Sequence, residues 1–113
     1  MTTLVMPGIE IDNSGFNTDA ASGSIEFQMG GGRTTDVFIL NWGYVDLARN
    51  TDIAVVFNRA FPNAFVGAIT TAQAATSGVR NSTFSNASTT GMRVRFSSNS
   101  TETVRVHYLA WGI

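Results

Sequence analysis

The sequence predicts an all-β chain: an antiparallel β-sandwich carrying an extended N-terminal strand or stem segment. Three observations point there. The apolar segments alternate with polar residues or are β-branched, and none sustains a helical period. Polar turns recur at intervals of about 8–12 residues, the rhythm of a sandwich or barrel. Glycine, 11 in 113 residues, interrupts the apolar segments too often for stable helices.

Two parts are expected, residues 1–35 as the strand or stem segment and residues 36–113 as the sandwich. In the first, Ile9 and Ile11 alternate with Glu10 and Asp12, and Asn13-Ser14-Gly15 marks a turn. Ile25, Phe27 and Met29 alternate with Glu26 and Gln28, as in a half-buried strand, until Gly30-Gly31-Gly32 breaks the pattern. These strands hold too few apolar residues for a core of their own. They are expected to pack on the second part or on neighbouring chains.

In the second part, Val37 to Trp42 is a nearly continuous apolar run, expected as a strand buried on both faces. Asp46 to Asp52 reads as a polar connection and Ile53 to Phe57 as the next strand. Phe61-Pro62 ends that strand, because proline lacks an N–H for a ladder and restricts the residue before it. Phe65 to Thr71 is a further strand, and Ala72 to Ser82 a small-residue loop with room for a helical turn at Ala72–Ala75. Phe84 starts a short strand. Met92, Val94 and Phe96 then alternate with Arg93 and Arg95, and Ser97 to Ser100 turn the chain. Thr103 to Trp111 is the last strand, so the C-terminus is expected to be structure and not a tail. Val104, Val106, Tyr108 and Ala110 share one face; Arg105, His107, Leu109 and Trp111 share the other. That second face is charged early and apolar late, as if passing from solvent or an interface into a core.

Composition narrows the setting. Hydrophobic residues make up 43% and charged residues only 13%, against a usual charged share of about 25%. Thr, Ser and Asn fill the gap. Such a surface suits a chain that hides much of itself in an oligomer. A net charge of −1 gives no reason to expect nucleic acid or an anionic membrane as partner. Every cationic side chain is an arginine, and there is no cysteine, which excludes disulfides and thiolate metal sites. No apolar stretch approaches the ~20 residues of a membrane span, so membrane insertion is not expected. The N-terminus lacks the pattern of a secretory signal.

Signals for catalysis are poor. A Ser–His pair would have to use His107, the sole histidine, which sits in a strand between Val106 and Tyr108. It reads as a structural residue or as a sugar or metal contact. Clustered metal ligands are missing, and Asp12-Asn13-Ser14-Gly15 resembles a calcium loop without its later ligands. Gly30 to Thr35 resembles a phosphate loop without its lysine, and a hinge fits it better. Asp36, Asp46, Asp52 and Glu102 fall at strand ends or turns, where solvated acids are ordinary. No enzyme activity, cofactor or metal is expected.

Candidate binding residues remain. Arg93, Arg95 and Arg105 alternate with buried positions on strands that could be neighbours, where like charges need partners or solvent. Such arginines form either an exposed face with ion pairs or a site for acidic sugars or phosphates, using the planar guanidinium fork. Tyr44, following Trp42-Gly43 into an expected loop, could stack on a sugar. Trp42 and Trp111 read as core or trimer-axis packing. Asn58, Arg59 and Asn63 flank the Phe-Pro step, and loops at a sandwich end are the usual recognition surface. Arg80 and Asn81, with Asn86, form a second candidate surface. His107 completes the set.

The order of signals also resembles the C-terminal, receptor-binding domain of bacteriophage tail fibres. A strand ends in Trp42-Gly43, Phe61-Pro62 precedes another, Thr90-Gly91 turns into a third, and Ala110-Trp111-Gly112 closes the chain. Members of that family often end in Ile-Ala-Ile-Gly, with the tryptophan earlier; here the ending is Leu109-Ala110-Trp111-Gly112. The resemblance implies a non-enzymatic homotrimeric tip on a virion or prophage-encoded particle. It would bind a bacterial surface glycan, lipopolysaccharide or outer-membrane protein, and join other tail-fibre or baseplate proteins. Sandwiches of this kind are similar to the H-type lectin fold. Two alternatives stand beside it: a structural module that trimerises and caps a fibre, and a free sugar-binding lectin.

Overall fold

The alternation in the sequence becomes nine strands in the computed structural model, which describes residues 3–6, 9–12, 22–28, 37–73, 80–99 and 101–113. They are β1 (Thr3–Met6), β2 (Ile9–Asp12), β3 (Ser22–Gln28), β4 (Val37–Ala48), β5 (Thr51–Val56), β6 (Phe65–Gln73), β7 (Arg80–Ser85), β8 (Gly91–Ser98) and β9 (Thr103–Gly112). Two antiparallel sheets form, one ordered β1-β2-β3-β4-β9-β6 and one ordered β5-β8-β7. The all-β antiparallel class is as the sequence predicts. The turn at Asn13–Gly15, the break at Gly30–Gly32 and the helical turn beyond Gln73 lie outside the described residues.

The core lies between the sheets. From the large sheet it takes Val37, Ile39 and Leu47 of β4 and Val104, Val106, Tyr108 and Ala110 of β9. From the small sheet it takes Val55 of β5 and Met92, Val94 and Phe96 of β8. Val94, Phe96, Val106 and Ala110 have no exposed surface at all. Burying the valines and the phenylalanine contributes about 1.5–3 kcal/mol each relative to exposure.

Several expectations need correction. β4 does not stop at Trp42-Gly43 but runs on to Ala48, so Tyr44 and Asp46 lie on a strand and not in a loop. Nor is β4 buried on both faces. Val37, Ile39, Asn41 and Gly43 are buried, while Phe38, Leu40, Trp42 and Tyr44 are only half-buried. The expected polar connection shrinks to the turn at Arg49-Asn50. Asn50 adopts a φ of 56° there, a left-handed conformation that Asn tolerates better than most residues. Its side-chain oxygen accepts a hydrogen bond from the Ser98 amide at 3.3 Å. Two residues thus carry the chain from one sheet to the other. Ala72 and Gln73 continue β6 and form no helix, and Phe84 lies near the end of β7, not its start.

Residues 57–64, around the Phe-Pro step, close one end of the sandwich. Phe57 and Phe61 are buried, with ring centroids 5.1 Å apart. Their amides donate to the carbonyls of Thr90 and Thr89 at 2.9 and 2.8 Å. The loop is also tied to the large sheet through Asn41, which is 1% exposed. The Asn41 amide donates to the Arg59 carbonyl and its oxygen accepts from the Arg59 amide, both at 2.9 Å. A side chain here does what a neighbouring strand would do, so a polar residue can sit in the core without an unpaired group. Asn63 and Ala64 donate to the Ile113 carbonyl at 2.7 Å, which holds the end of β9 against this loop.

Candidate functional site

With the sandwich built, alternation sends every second residue outward, and the two outer faces have opposite chemistry. On the large sheet, the register places Leu40 beside Trp111 and Trp42 beside Leu109. Ile25 lies beside Leu40, Phe27 beside Phe38, and Ile69 beside Leu109. Ile69 is 59% exposed. The two indoles lie flat over neighbouring glycines. A Cβ at Gly23 would stand 2.6 Å from the Trp42 ring, and one at Gly67 would stand 2.7 Å from the Trp111 ring. Each glycine is therefore the socket of an indole. Neither tryptophan enters the core, and the late part of this face of β9 does not pass inward as expected; it stays on the outside of the sheet.

The same outer face ends in a polar cluster. The Arg105 guanidinium sits 3.8 Å from the Tyr44 ring centroid and its Nε donates to Asp46 Oδ1 at 3.1 Å. The hydrogen bond to Asp46 raises the Arg105 pKa further above its ordinary value. His107 Nε2 and Gln73 Oε1 are 2.8 Å apart, and the His107 and Tyr44 rings meet edge-on with centroids 6.1 Å apart.

The outer face of the small sheet is hydrophilic along β8 and β7, with Ala54 and Val56 forming an apolar strip on β5. Arg95 lies between Asp52 of β5 and Thr83 of β7, Arg93 between Ala54 and Ser85, and Ser97 beside Asn81. Arg93 grips Asp52 with two donors, Nη2 to Oδ1 at 3.0 Å and Nε to Oδ2 at 3.3 Å. That hydrogen bond, with the charges of Arg93 and Arg95, holds the Asp52 carboxyl below the usual carboxylate range. Arg95 is exposed and acts on Asp52 only through its charge.

The sequence-selected residues therefore separate into three places. Tyr44, Arg105 and His107 stand together on the large sheet. Arg93, Arg95 and Asn81 stand together on the small sheet, so the three arginines do not share a face. Asn58, Arg59 and Asn63 belong to the loop between β5 and β6. There Asn58 Nδ2 donates to Ser24 Oγ at 2.9 Å and Arg59 Nη1 pairs with Glu26 Oε2 at 2.8 Å. Arg80 opens β7 opposite Ser98. Sequence reasoning missed Asp52, Thr83 and Ser85 as companions of the arginines. It also missed Gly23 and Gly67 as indole sockets; a glycine inside an alternating strand was the available signal, and each proves to be the direct cross-strand partner of its tryptophan. No group of three His, Asp or Glu residues stands together among the described residues.

Comparison with known proteins agrees with this architecture. The solved structures that resemble the chain include two pyocin fibres. One is the C-terminal part of an R2 pyocin fibre of P. aeruginosa, at 22% identity and a TM-score of 0.66 over 85% of this chain and 25% of that one. The other is an N-truncated R1-type pyocin tail fibre, at 18% identity and a TM-score of 0.62 over 85% of this chain and 83% of that one. At such identities the likeness is one of fold, and the chain spans only about a quarter of the longer fibre. No curated protein matches the chain. The family described as putative tail fiber protein gp53-like, C-terminal, matches residues 33–113, which takes in β4 to β9 with both outer faces; the chain belongs to this tail-fibre family.

Proposed function

We propose that this domain is the receptor-binding tip of a phage or pyocin-type tail fibre and works as a homotrimer. One observation carries the assembly: the outer face of the large sheet, with Leu40, Trp42, Leu109, Trp111 and Ile69, is apolar, and among the described residues no further strand lies over it. A contiguous apolar face of this kind marks an interaction surface. In a fibre, the natural cover is the same face of other copies. The flat indoles suit such packing, and the cluster of Tyr44, Asp46, Arg105 and His107 forms the polar rim. Residues 1–35 would then join the sandwich to the shaft, with β1–β3 extending the interface sheet.

Binding follows from what remains outward. The outer face of the small sheet and the loop ends around Asn58, Arg59 and Asn63 would meet the bacterial surface glycan or outer-membrane protein, with other fibre or baseplate proteins behind. The tip binds without cleaving. Three of its carboxylates, Glu26, Asp46 and Asp52, are engaged by Arg59, Arg105 and Arg93, which suits structural charges better than a general acid. Three copies make weak single contacts effective through avidity.

Light scattering after gel filtration tests the assembly, and adsorption of the labelled protein to a panel of bacteria tests the binding. A trimer that coats some strains is the expected result. A stable monomer, or a trimer that adsorbs to none, overturns the corresponding half.

A further inference from the structure

We propose that the outer face of the β5-β8-β7 sheet binds an anionic glycan, one bearing carboxylates or phosphates on its sugars; this rests on the receptor-binding reading above. The face has three parallel rows of different chemistry, about 4.8 Å apart. The middle row, on β8, holds Arg93 and Arg95, two positions apart and so about 6.6–6.8 Å along the strand. The row on β7 holds Asn81, Thr83 and Ser85, all exposed. The row on β5 holds Asp52 and then Ala54 and Val56, with Val56 79% exposed.

Each row suits one part of an acidic sugar. Two guanidiniums face a single carboxylate, and Arg93 already grips that carboxylate with two donors. The Arg95 fork remains for an incoming anion, which it can meet with two parallel hydrogen bonds. The hydroxyls and amide of β7 match the hydroxyls of a ring, since they both donate and accept. Ala54 and Val56 offer an apolar strip to its C–H face. Exposure of most of the face keeps any single contact modest, as repeated binding by several tips requires.

The test is calorimetric titration of the intact protein with oligogalacturonate, with a phosphate-bearing mannan fragment, and with neutral maltohexaose. Binding of either anionic probe, weakening with added salt, and no binding of maltohexaose is the expected pattern; the tighter probe names the anion. Arg95→Gln should reduce anionic binding about tenfold or more, the scale of a lost hydrogen bond to a charged group. Arg49→Gln, which removes the same charge at the sheet corner, should change it far less. Equal binding of the neutral sugar, no binding of either anionic probe, or equal losses in the two variants overturns the proposal. Cell adsorption keeps this apart from the tip reading: strains coated equally by wild type and Arg95→Gln leave the tip standing and remove this site.

Discussion

The outer face of the large sheet and that of the small sheet come from the same device, a strand showing alternate residues to opposite sides, yet they differ in almost every property. The large sheet turns out Leu40, Trp42, Leu109 and Trp111, half-buried by one another and by the glycine sockets. The small sheet turns out Asp52, Thr83, Arg93 and Arg95, with the Arg93–Asp52 ion pair between them. Both sheets turn apolar residues into the shared core. The difference is therefore not needed to fold the sandwich. Under the proposed assembly, the first face would meet protein and the second water or a polar ligand.

Substitutions can break this comparison, and the largest effect should come from the indole face. Trp111→Ala should abolish assembly and lower the melting temperature, with a loss below the ~3–5 kcal/mol of a core aromatic because the ring is half-buried in the single chain. Unchanged mass and unchanged melting would mean that water, not protein, covers this face. Gly67→Val should lift the Trp111 ring from its socket, costing about 1–3 kcal/mol as overpacking does, and should weaken the trimer by mass measurement. Asn41→Ala leaves the Arg59 amide and carbonyl without their partner, which costs about 1–3 kcal/mol. That loss should show in melting while the oligomeric mass persists, because the bond lies inside the sandwich and not on its outer face.

Two smaller effects sharpen the contrast between inside and outside. Burial pushes the Tyr108 phenol above its ordinary value of 10.0. The unfolded chain ionises at the ordinary value while the folded one resists. Stability is thus full below pH 10.0 and falls as pH rises from there towards the folded value. Tyr108→Phe should flatten this alkaline limb of the melting profile; an unaltered limb would place its cause elsewhere. Smallest of all, Arg95→Gln should leave melting and mass unchanged, since the side chain is exposed and makes no closed ion pair. A clear drop in melting temperature would make Arg95 structural.

Alternation made much of this molecule legible before its structure. Met92, Val94 and Phe96 against Arg93 and Arg95, and Val104 to Ala110 against Arg105 to Trp111, were divided correctly into faces. The Phe-Pro step was read as a break and is one. Reading failed where length and pairing mattered. Trp42-Gly43 looked like a strand end, because glycine usually punctuates, but β4 passes through it to Ala48. Gly43 lies opposite Tyr108 in the ladder, and the strand needs no side chain there. The three arginines looked like neighbours because their strands are adjacent in sequence. β8 in fact pairs with β5 and β7, and β9 with β4 and β6.

The sequence by itself determined the β class, the grouping of residues into faces and the hydrophobic set of each strand. These are local properties, since the two-residue period of a strand depends on the strand's own backbone. Only the tertiary structure decided which strands became neighbours, where the two-residue corner at Arg49-Asn50 sends the chain, and which glycine lies under which indole. Those depend on closing contacts between segments distant along the chain, such as Asn41 with Arg59, 18 residues apart, or Gly23 with Trp42, and no local pattern carries that information.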